Sequence, residues 1–129
     1  MTRTIADTNA FLRLLTNDIP SQKKAVEQLL RKAKNKEVLI FVPQAIIFEI
    51  DYVLRKYYHV PKGKIVEKLQ IIITMPFLEI ENRQAFNLSL DYYTKENISF
   101  VDCFILARSK LENFELFTFD KKLKSFSIV

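Results

Sequence analysis

Four acidic residues on four different segments are the side chains of this chain best suited to chemistry. They are Asp7, Glu49, Asp102 and Asp120. Three of the four follow or flank short β-branched or aromatic runs, and a parallel α/β sheet gathers its functional side chains at such places. Carboxylate oxygens are the ligands that Mg²⁺ and Mn²⁺ prefer. If the four converge, they predict a cation site that can activate water for phosphodiester hydrolysis without a histidine.

The chain has few of the residues that other catalytic mechanisms require. His59 is the only histidine and Cys103 the only cysteine, so an internal disulfide is excluded and Cys103 cannot by itself form a zinc site. Ser-His-Asp and Cys-His nucleophilic catalysis are therefore disfavoured.

The charge of the chain suits a polyanionic partner. Twenty Lys and Arg against 15 Asp and Glu give a formal net charge of +5. The basic residues cluster at 23–24, 31–36, 55–56 and 121–124, so an acidic centre would have cationic flanks. Lysines on the polar face of a helix are often simply solvated, and only the acidic site favours nucleic acid over that interpretation.

Three of the acidic residues also have a structural interpretation. Asp7 precedes a helical pattern and can cap it. Asp102 lies three residues after Ser99, the spacing of a capping box. Asp120, followed by two lysines, can be a turn residue or cap a short last helix.

Glu49 is harder to explain structurally. It lies at the margin of a broad apolar helical stripe, and carboxylates are rarely buried without a partner. The structural alternative is a salt bridge to Arg13 or Arg55.

Apolar runs predict a parallel sheet. We expect strands at Arg3 to Ala6, Val38 to Val42, Phe77 to Ile80 and Leu116 to Phe119, with the tail from Phe126 to Val129 as a possible edge strand. The strands alternate with helical patterns, which indicates a parallel sheet covered on both faces by right-handed crossovers. Ligands bind such sheets beyond the carboxyl ends of the strands, where Asp7 and Asp120 fall.

The helical patterns complete one predicted domain over residues 1–129, cytoplasmic and without a membrane span. Their expected bounds are Asn9 to Thr16, Pro20 to about Lys34, Gln44 to Tyr57, about Pro61 to Thr74, Asn82 as a cap to about Glu96, and Ser99 to about Leu111.

The joint pattern resembles a known family. The Asp-Thr-Asn sequence that begins at Asp7, the helical Glu49, Asp102 at the opening of a helix, and the Thr-Phe-Asp sequence that ends at Asp120 look like a PIN-domain ribonuclease of the VapC toxin type. The resemblance implies a three-layer α/β/α sandwich around a central parallel sheet of four or five strands. It also implies a metal-dependent endoribonuclease that acts as a toxin, commonly as a homodimer, and is held inactive by an antitoxin encoded nearby.

The resemblance also implies roles for individual residues. Asp7 and Asp102 would be the primary ligands of Mg²⁺ or Mn²⁺. Asp120 would assist directly or through water, and Glu49 would orient water or a second ion. Supporting hydrogen bonds would come from Asn9 and Thr118. Asn113 stands where many members have glycine, which is tolerable because asparagine can also adopt the left-handed conformation.

Two alternatives remain at this stage. One is a catalytically silent module that keeps the fold for RNA or protein contact, although such a module has no need to retain all four acids. The other is a phosphatase with Asp7 as nucleophile. That reaction lacks its general acid, because Asn9 replaces the usual second aspartate.

Overall fold

The computed structural model describes residues 1–126, and it divides the chain into two compact units. The first unit, Met1–Glu81, contains β1 (Thr2–Ile5), α1 (Thr8–Leu15), α2 (Pro20–Lys34), β2 (Val38–Val42), α3 (Gln44–Lys56), α4 (Lys62–Ile73) and β3 (Leu78–Ile80). The second unit begins at Asn82 and contains α5 (Arg83–Lys95), α6 (Phe100–Glu112) and α7 (Lys121–Lys124). The expected alternation of strands and helices is present in the first unit.

The sheet of the first unit is parallel throughout, as the sequence predicts. Its strand order is β1-β2-β3, with Ile5 paired to Phe41 and Val42 paired to Ile80. Ile40 and Val42 of the central strand are fully buried. The three strands point the same way, so their carboxyl ends share one edge, which we call the carboxyl edge.

Helices α1 and α3 bury apolar side chains at helical spacing. Phe11 of α1 is fully buried, and so are Ile47, Ile50 and Leu54 of α3. Their three- and four-residue spacing gives α3 one continuous buried side. The polar side of α3 faces solvent.

Aromatic packing holds the second unit together. The ring of Phe86 in α5 lies 6.0 Å from that of Phe100 and 4.7 Å from that of Phe104, both in α6. Tyr93 contacts Phe100 at 5.1 Å between ring centroids. Helix α6 ends at Asn113, whose φ of 57° confirms the expectation that asparagine takes the left-handed conformation there.

The predicted strand from Leu116 to Phe119 is wrong. Residues 114–118 have no regular secondary structure, and the side chains of Phe117 and Phe119 are 86% and 90% exposed. The apolar run predicted a strand, but strand formation depends on a neighbouring strand and on burial. Within the described part of the second unit, the other elements are helices and offer no strand edge.

The strand count therefore falls short of the expected four or five. The structure has three strands among residues 1–126, while the mixed α/β class and the parallel sheet are confirmed. Of the possible edge strand at the tail, Phe126 lies in a turn and the remaining three residues lie outside the described part. No described helix is both long and apolar enough to cross a bilayer.

Candidate active site

Asp7 lies directly beyond the carboxyl end of β1 and caps helix α1. Its Oδ1 accepts a hydrogen bond of 3.0 Å from the backbone N–H of Ala10, as the helix-cap interpretation predicts. Its Oδ2 has no hydrogen-bond partner among residues 1–126. The residue is exposed and lies at a helix N-terminus, where the macrodipole favours an anion. Capping therefore uses one oxygen of Asp7 and leaves the other accessible.

Glu49 lies on the exposed side of α3. Neither ion pair of the structural alternative forms, because Arg13 contacts Asp18 and Arg55 contacts Asp51. The Glu49 carboxylate has no hydrogen bond or ion pair to any described residue. Its exposure removes the argument that a buried carboxylate needs a partner, but it also leaves both oxygens of Glu49 available to water or a cation.

Glu81 is a residue of the carboxyl edge that the sequence analysis missed. It follows β3, and its backbone N–H extends the ladder with a 3.0 Å bond to the carbonyl of Val42. Its side-chain Oε1 accepts a 2.9 Å bond from the backbone N–H of Gln44, the first residue of α3. Glu81 thereby anchors the helix that carries Glu49. The position of an acidic residue directly after a predicted strand could have identified Glu81 from the sequence.

Asp102 lies in the first turn of α6. Its backbone N–H donates a 3.1 Å hydrogen bond to Oγ of Ser99, which is one half of the predicted capping box. The other half is missing, because the Asp102 carboxylate has no hydrogen-bond partner among the described residues. The side chain is half-buried and is not used to cap the helix. The structural interpretation thus accounts for Ser99 but not for the Asp102 carboxylate.

Asp120 caps the short helix α7. Its Oδ1 accepts a 2.9 Å bond from the backbone N–H of Leu123, and its own N–H donates a 3.0 Å bond to Oγ1 of Thr118. Thr118 thus accepts a local hydrogen bond from the backbone of Asp120, and its supporting role in a site stays a prediction. The structural interpretation of Asp120 is also met, so its position alone does not assign it to catalysis.

The candidate residues are divided between the two units. Asp7, Asn9 and Glu49 belong to the first, and Asp102, Thr118 and Asp120 belong to the second. Asn9 is exposed and makes no hydrogen bond to a described residue. Within neither unit, as far as it is described, do three or more His, Cys, Asp or Glu side chains form a group able to hold a metal ion. The donors are nonetheless all carboxylate oxygens, and this donor set suits a hard divalent cation.

A cleft of about 760 Å³ lies at the opposite edge of the sheet. Its lining comes from the end of α2 and from residues that precede or begin the strands: Met1, Ala33, Lys34, Lys36, Val38, Leu39, Pro76 and Phe77. No lining residue is acidic. This cleft is therefore separate from the carboxyl edge and from the candidate residues of the first unit.

Comparisons with known proteins agree with the resemblance. The family model of the PIN domain matches residues 4–129. A curated protein named VapC ribonuclease, from Aquifex aeolicus (strain VF5), is 23% identical over 121 residues, which are 93% of this chain and 89% of that protein. The family match covers almost the whole chain, including all four acidic residues. The chain therefore belongs to the PIN domain family.

Proposed function

We propose that this chain is a divalent-metal-dependent endoribonuclease in which Asp7, Glu49, Asp102 and Asp120 act together in one PIN domain. Family membership supports the proposal, as does the similarity to a protein named VapC ribonuclease. The observation that carries it most directly is Asp7, an exposed carboxylate with an uncommitted Oδ2 at the carboxyl end of β1. Parallel sheets bind their ligands at that edge.

The local contacts of the carboxylates suggest the role of each residue. Asp7, through Oδ2, and Asp102 would hold Mg²⁺ or Mn²⁺, because each has carboxylate oxygen without a described protein partner. Asp120 would assist with the oxygen that does not cap α7. When bound, the divalent cation lowers the pKa of coordinated water and stabilises charge that develops on a phosphodiester.

Glu49 would act on the attacking water. Its carboxylate is exposed, unpaired among the described residues and held on a helix that Glu81 anchors. A carboxylate so placed can accept a proton from water and orient its lone pair. This division of roles needs no histidine, and the single histidine of the chain, His59, lies in a left-handed turn after α3.

The basic residues that follow Asp120 would supply affinity for the RNA backbone. Lys121, Lys122 and Lys124 follow Asp120 directly and are all exposed. Lysines next to an acidic centre attract phosphates while the bound cation offsets the carboxylate charge. The net charge of +5 acts in the same direction.

We further propose that the protein is the toxin of a toxin–antitoxin pair, acts in the cytoplasm as a homodimer and is held inactive by an antitoxin encoded nearby. The name of the Aquifex relative, VapC ribonuclease, supports the toxin and antitoxin parts of this assignment. Expression of the chain alone should arrest growth, and co-expression of the neighbouring small gene should restore it. Normal growth with the chain alone, at confirmed expression, would contradict the toxin assignment.

The nuclease activity itself can be tested on purified protein. Single-stranded RNA should be cleaved with Mg²⁺ or Mn²⁺, and EDTA should stop the reaction. Asp102→Asn should remove cleavage without unfolding α6, because the Asp102 carboxylate caps nothing in that helix. Cleavage that persists in EDTA would exclude the metal-dependent mechanism.

A catalytically silent binding module is the second candidate. The observation that favours it is that Asp7 and Asp120 each make a helix-capping bond, so both have a structural reason to be acidic. Such a module would bind RNA or protein but leave RNA intact with either metal. The same cleavage assay therefore separates the two candidates.

A further inference from the structure

The exposed side of α3 connects Glu49 to an aromatic and basic surface. Glu49, Tyr52 and Lys56 follow one another at three- and four-residue spacing and are all exposed, with Arg55 beside them. Such spacing places side chains along one side of a helix. We call these four residues the α3 stripe. It begins with a candidate catalytic carboxylate and ends with two cations.

Tyr52 is held in place by its neighbours. Its ring meets the ring of Tyr57 edge to face at 6.1 Å, and the guanidinium of Arg55 lies 5.8 Å from its centroid. Arg55 is itself paired with Asp51 at 3.7 Å between Nη2 and Oδ2, and the Asp51 side chain is only 6% exposed. The Tyr52 residue nevertheless remains 45% exposed. The result is an aromatic ring that is already ordered, so that little entropy is lost when a ligand stacks on it.

The charge along the stripe points to a ligand with phosphates. Lys56 has no carboxylate partner among the described residues, while the charge of Arg55 is partly offset by Asp51. At 1.5 Å of rise per residue, Tyr52 is about 4.5 Å and Lys56 about 10 Å from Glu49 along the helix axis. A flat ring followed by an unpaired cation fits a base followed by a phosphate.

We propose that the α3 stripe binds single-stranded RNA next to Glu49, with one base stacked on Tyr52 and the adjoining phosphate bound by Lys56. The inference rests on the proposed function, because it takes RNA as the substrate. A base presents its face to a side chain only when it is unpaired, so the stripe selects single strands over duplexes. Arg55 positions the Tyr52 ring rather than binding the strand.

Binding measurements at several salt concentrations test the stripe. The probe is a fluorescein-labelled oligoadenylate, and the protein is the full chain carrying Asp7→Asn so that the RNA stays intact. Tyr52→Ala should weaken binding about tenfold without changing the salt dependence, because stacking releases no counterions, and Tyr52→Phe should bind like the parent. Lys56→Ala should reduce the slope of log affinity against log salt by about 0.7, the value for one phosphate of a single strand.

The matched control is Lys34→Ala, which removes the same charge from an exposed lysine of α2 and should leave affinity and slope as in the parent. Parental affinity in Tyr52→Ala, or equal slope changes in Lys56→Ala and Lys34→Ala, would overturn the proposal. So would equal affinity for duplex and single strand. Should Tyr52→Ala fail to fold, the Lys56 comparison still decides. If Tyr52→Ala splits a dimer with no loss of RNA affinity, the stripe is instead a contact between copies.

Parallel cleavage by the wild-type chain distinguishes this inference from the function on which it rests. If the wild-type chain cleaves RNA and Tyr52→Ala binds RNA as tightly as the parent does, RNA binding by the α3 stripe is rejected and the nuclease activity is supported. If the wild-type chain does not cleave RNA but binding depends on Tyr52, the nuclease activity is rejected and the α3 stripe is the RNA-binding surface of a binding module.

Discussion

The two edges of the three-stranded sheet have opposite character. The carboxyl edge bears the exposed carboxylates of Asp7 and Glu81. The opposite edge, where the amino ends of the strands lie and which we call the amino edge, bears the cleft of about 760 Å³, whose lining is apolar apart from Lys34 and Lys36. The cleft and the exposed carboxylates thus lie at opposite ends of the strands.

This difference shows which property locates the candidate chemistry. Helix N-termini and the loops after the strands meet at the carboxyl edge of a parallel sheet, whatever cavities the rest of the surface contains. The cleft at the amino edge offers no carboxylate to a metal ion. Strand direction and the positions of the acids therefore indicate the carboxyl edge, and this cleft does not.

The largest contrast between the edges is expected in catalysis. Asp7→Asn should lower the RNA cleavage rate by about two orders of magnitude or more, because loss of a metal ligand removes several kcal/mol of transition-state stabilisation. The helix should survive, since asparagine also caps and its amide oxygen can accept the bond from Ala10. Rates should be measured together with melting curves. Lys34→Ala at the amino edge should cleave normally, and full activity in Asp7→Asn would end the assignment of Asp7.

A smaller effect is expected where Glu81 anchors α3. Glu81→Ala removes the acceptor for the backbone N–H of Gln44 and should lower the free energy of unfolding by about 1 kcal/mol. Cleavage should fall too, because α3 carries Glu49. Glu81→Gln is the matched control, since its amide oxygen keeps an acceptor. Denaturant unfolding measures the difference, and equal stability of the two variants would show that the bond contributes nothing.

At the amino edge, by contrast, a substitution should improve stability without touching activity. Lys36 has a φ of 62° after α2, and the bonds from Lys36 N–H to the Ala33 carbonyl and from Glu37 N–H to the Lys32 carbonyl form a Schellman motif. Glycine is favoured there, so Lys36→Gly should raise the free energy of unfolding by roughly 0.5–1 kcal/mol.

Lys34→Gly is the control for this prediction, because it makes the same exchange two residues earlier, inside the last turn of the helix. There glycine should cost about 1 kcal/mol. Denaturant unfolding should thus give changes of opposite sign, while RNA cleavage stays normal in both. Destabilisation by Lys36→Gly would mean that the left-handed turn is not strained.

The smallest effect concerns acid stability, at a network that contains none of the carboxylates of the carboxyl edge. The Thr16 hydroxyl, donating at 2.6 Å, and then the Tyr58 hydroxyl and the Arg13 guanidinium hold the pKa of Asp18 below its usual value. A carboxyl with a lowered folded-state pKa stabilises the fold above its unfolded pKa, near pH 4, and this contribution disappears as the pH falls through the folded value.

Asp18→Asn should therefore make the free energy of unfolding depend less on pH below about pH 4 and should change that dependence little at neutral pH. Unfolding measured at closely spaced pH values checks this expectation. An unchanged acid limb in Asp18→Asn would show that the network does not contribute to acid stability.

Local sequence signals predicted the elements well where local physics decides them. The bounds of α2 and β2 agree with the expected Pro20 to Lys34 and Val38 to Val42, because proline opens a helix and a continuous apolar run marks a buried strand. The strand expected from Leu116 to Phe119 fails because pairing depends on a neighbour that the local sequence does not encode.

The same distinction applies to the candidate site. The capping bonds of Asp7 and Asp120 follow from residues within three positions and were predictable. The anchoring of α3 by Glu81 was not, since it joins residues 37 positions apart through the register of β2 and β3. The ion pairs offered as the structural alternative for Glu49 do not form, and Arg13 and Arg55 instead pair with acidic residues on their own local segments.

The proposal that Asp7 and Asp102 bind a divalent cation is tested most directly by the melting temperature with and without Mg²⁺. At a Mg²⁺ concentration a hundredfold above its Kd, binding adds about 2.7 kcal/mol of stability and should raise the melting temperature of the wild-type chain by several degrees. Asp7→Asn and Asp102→Asn should each lose most of this shift, whereas Lys34→Ala should keep it. An absent shift in the wild-type chain, or a full shift in either aspartate variant, would contradict the account.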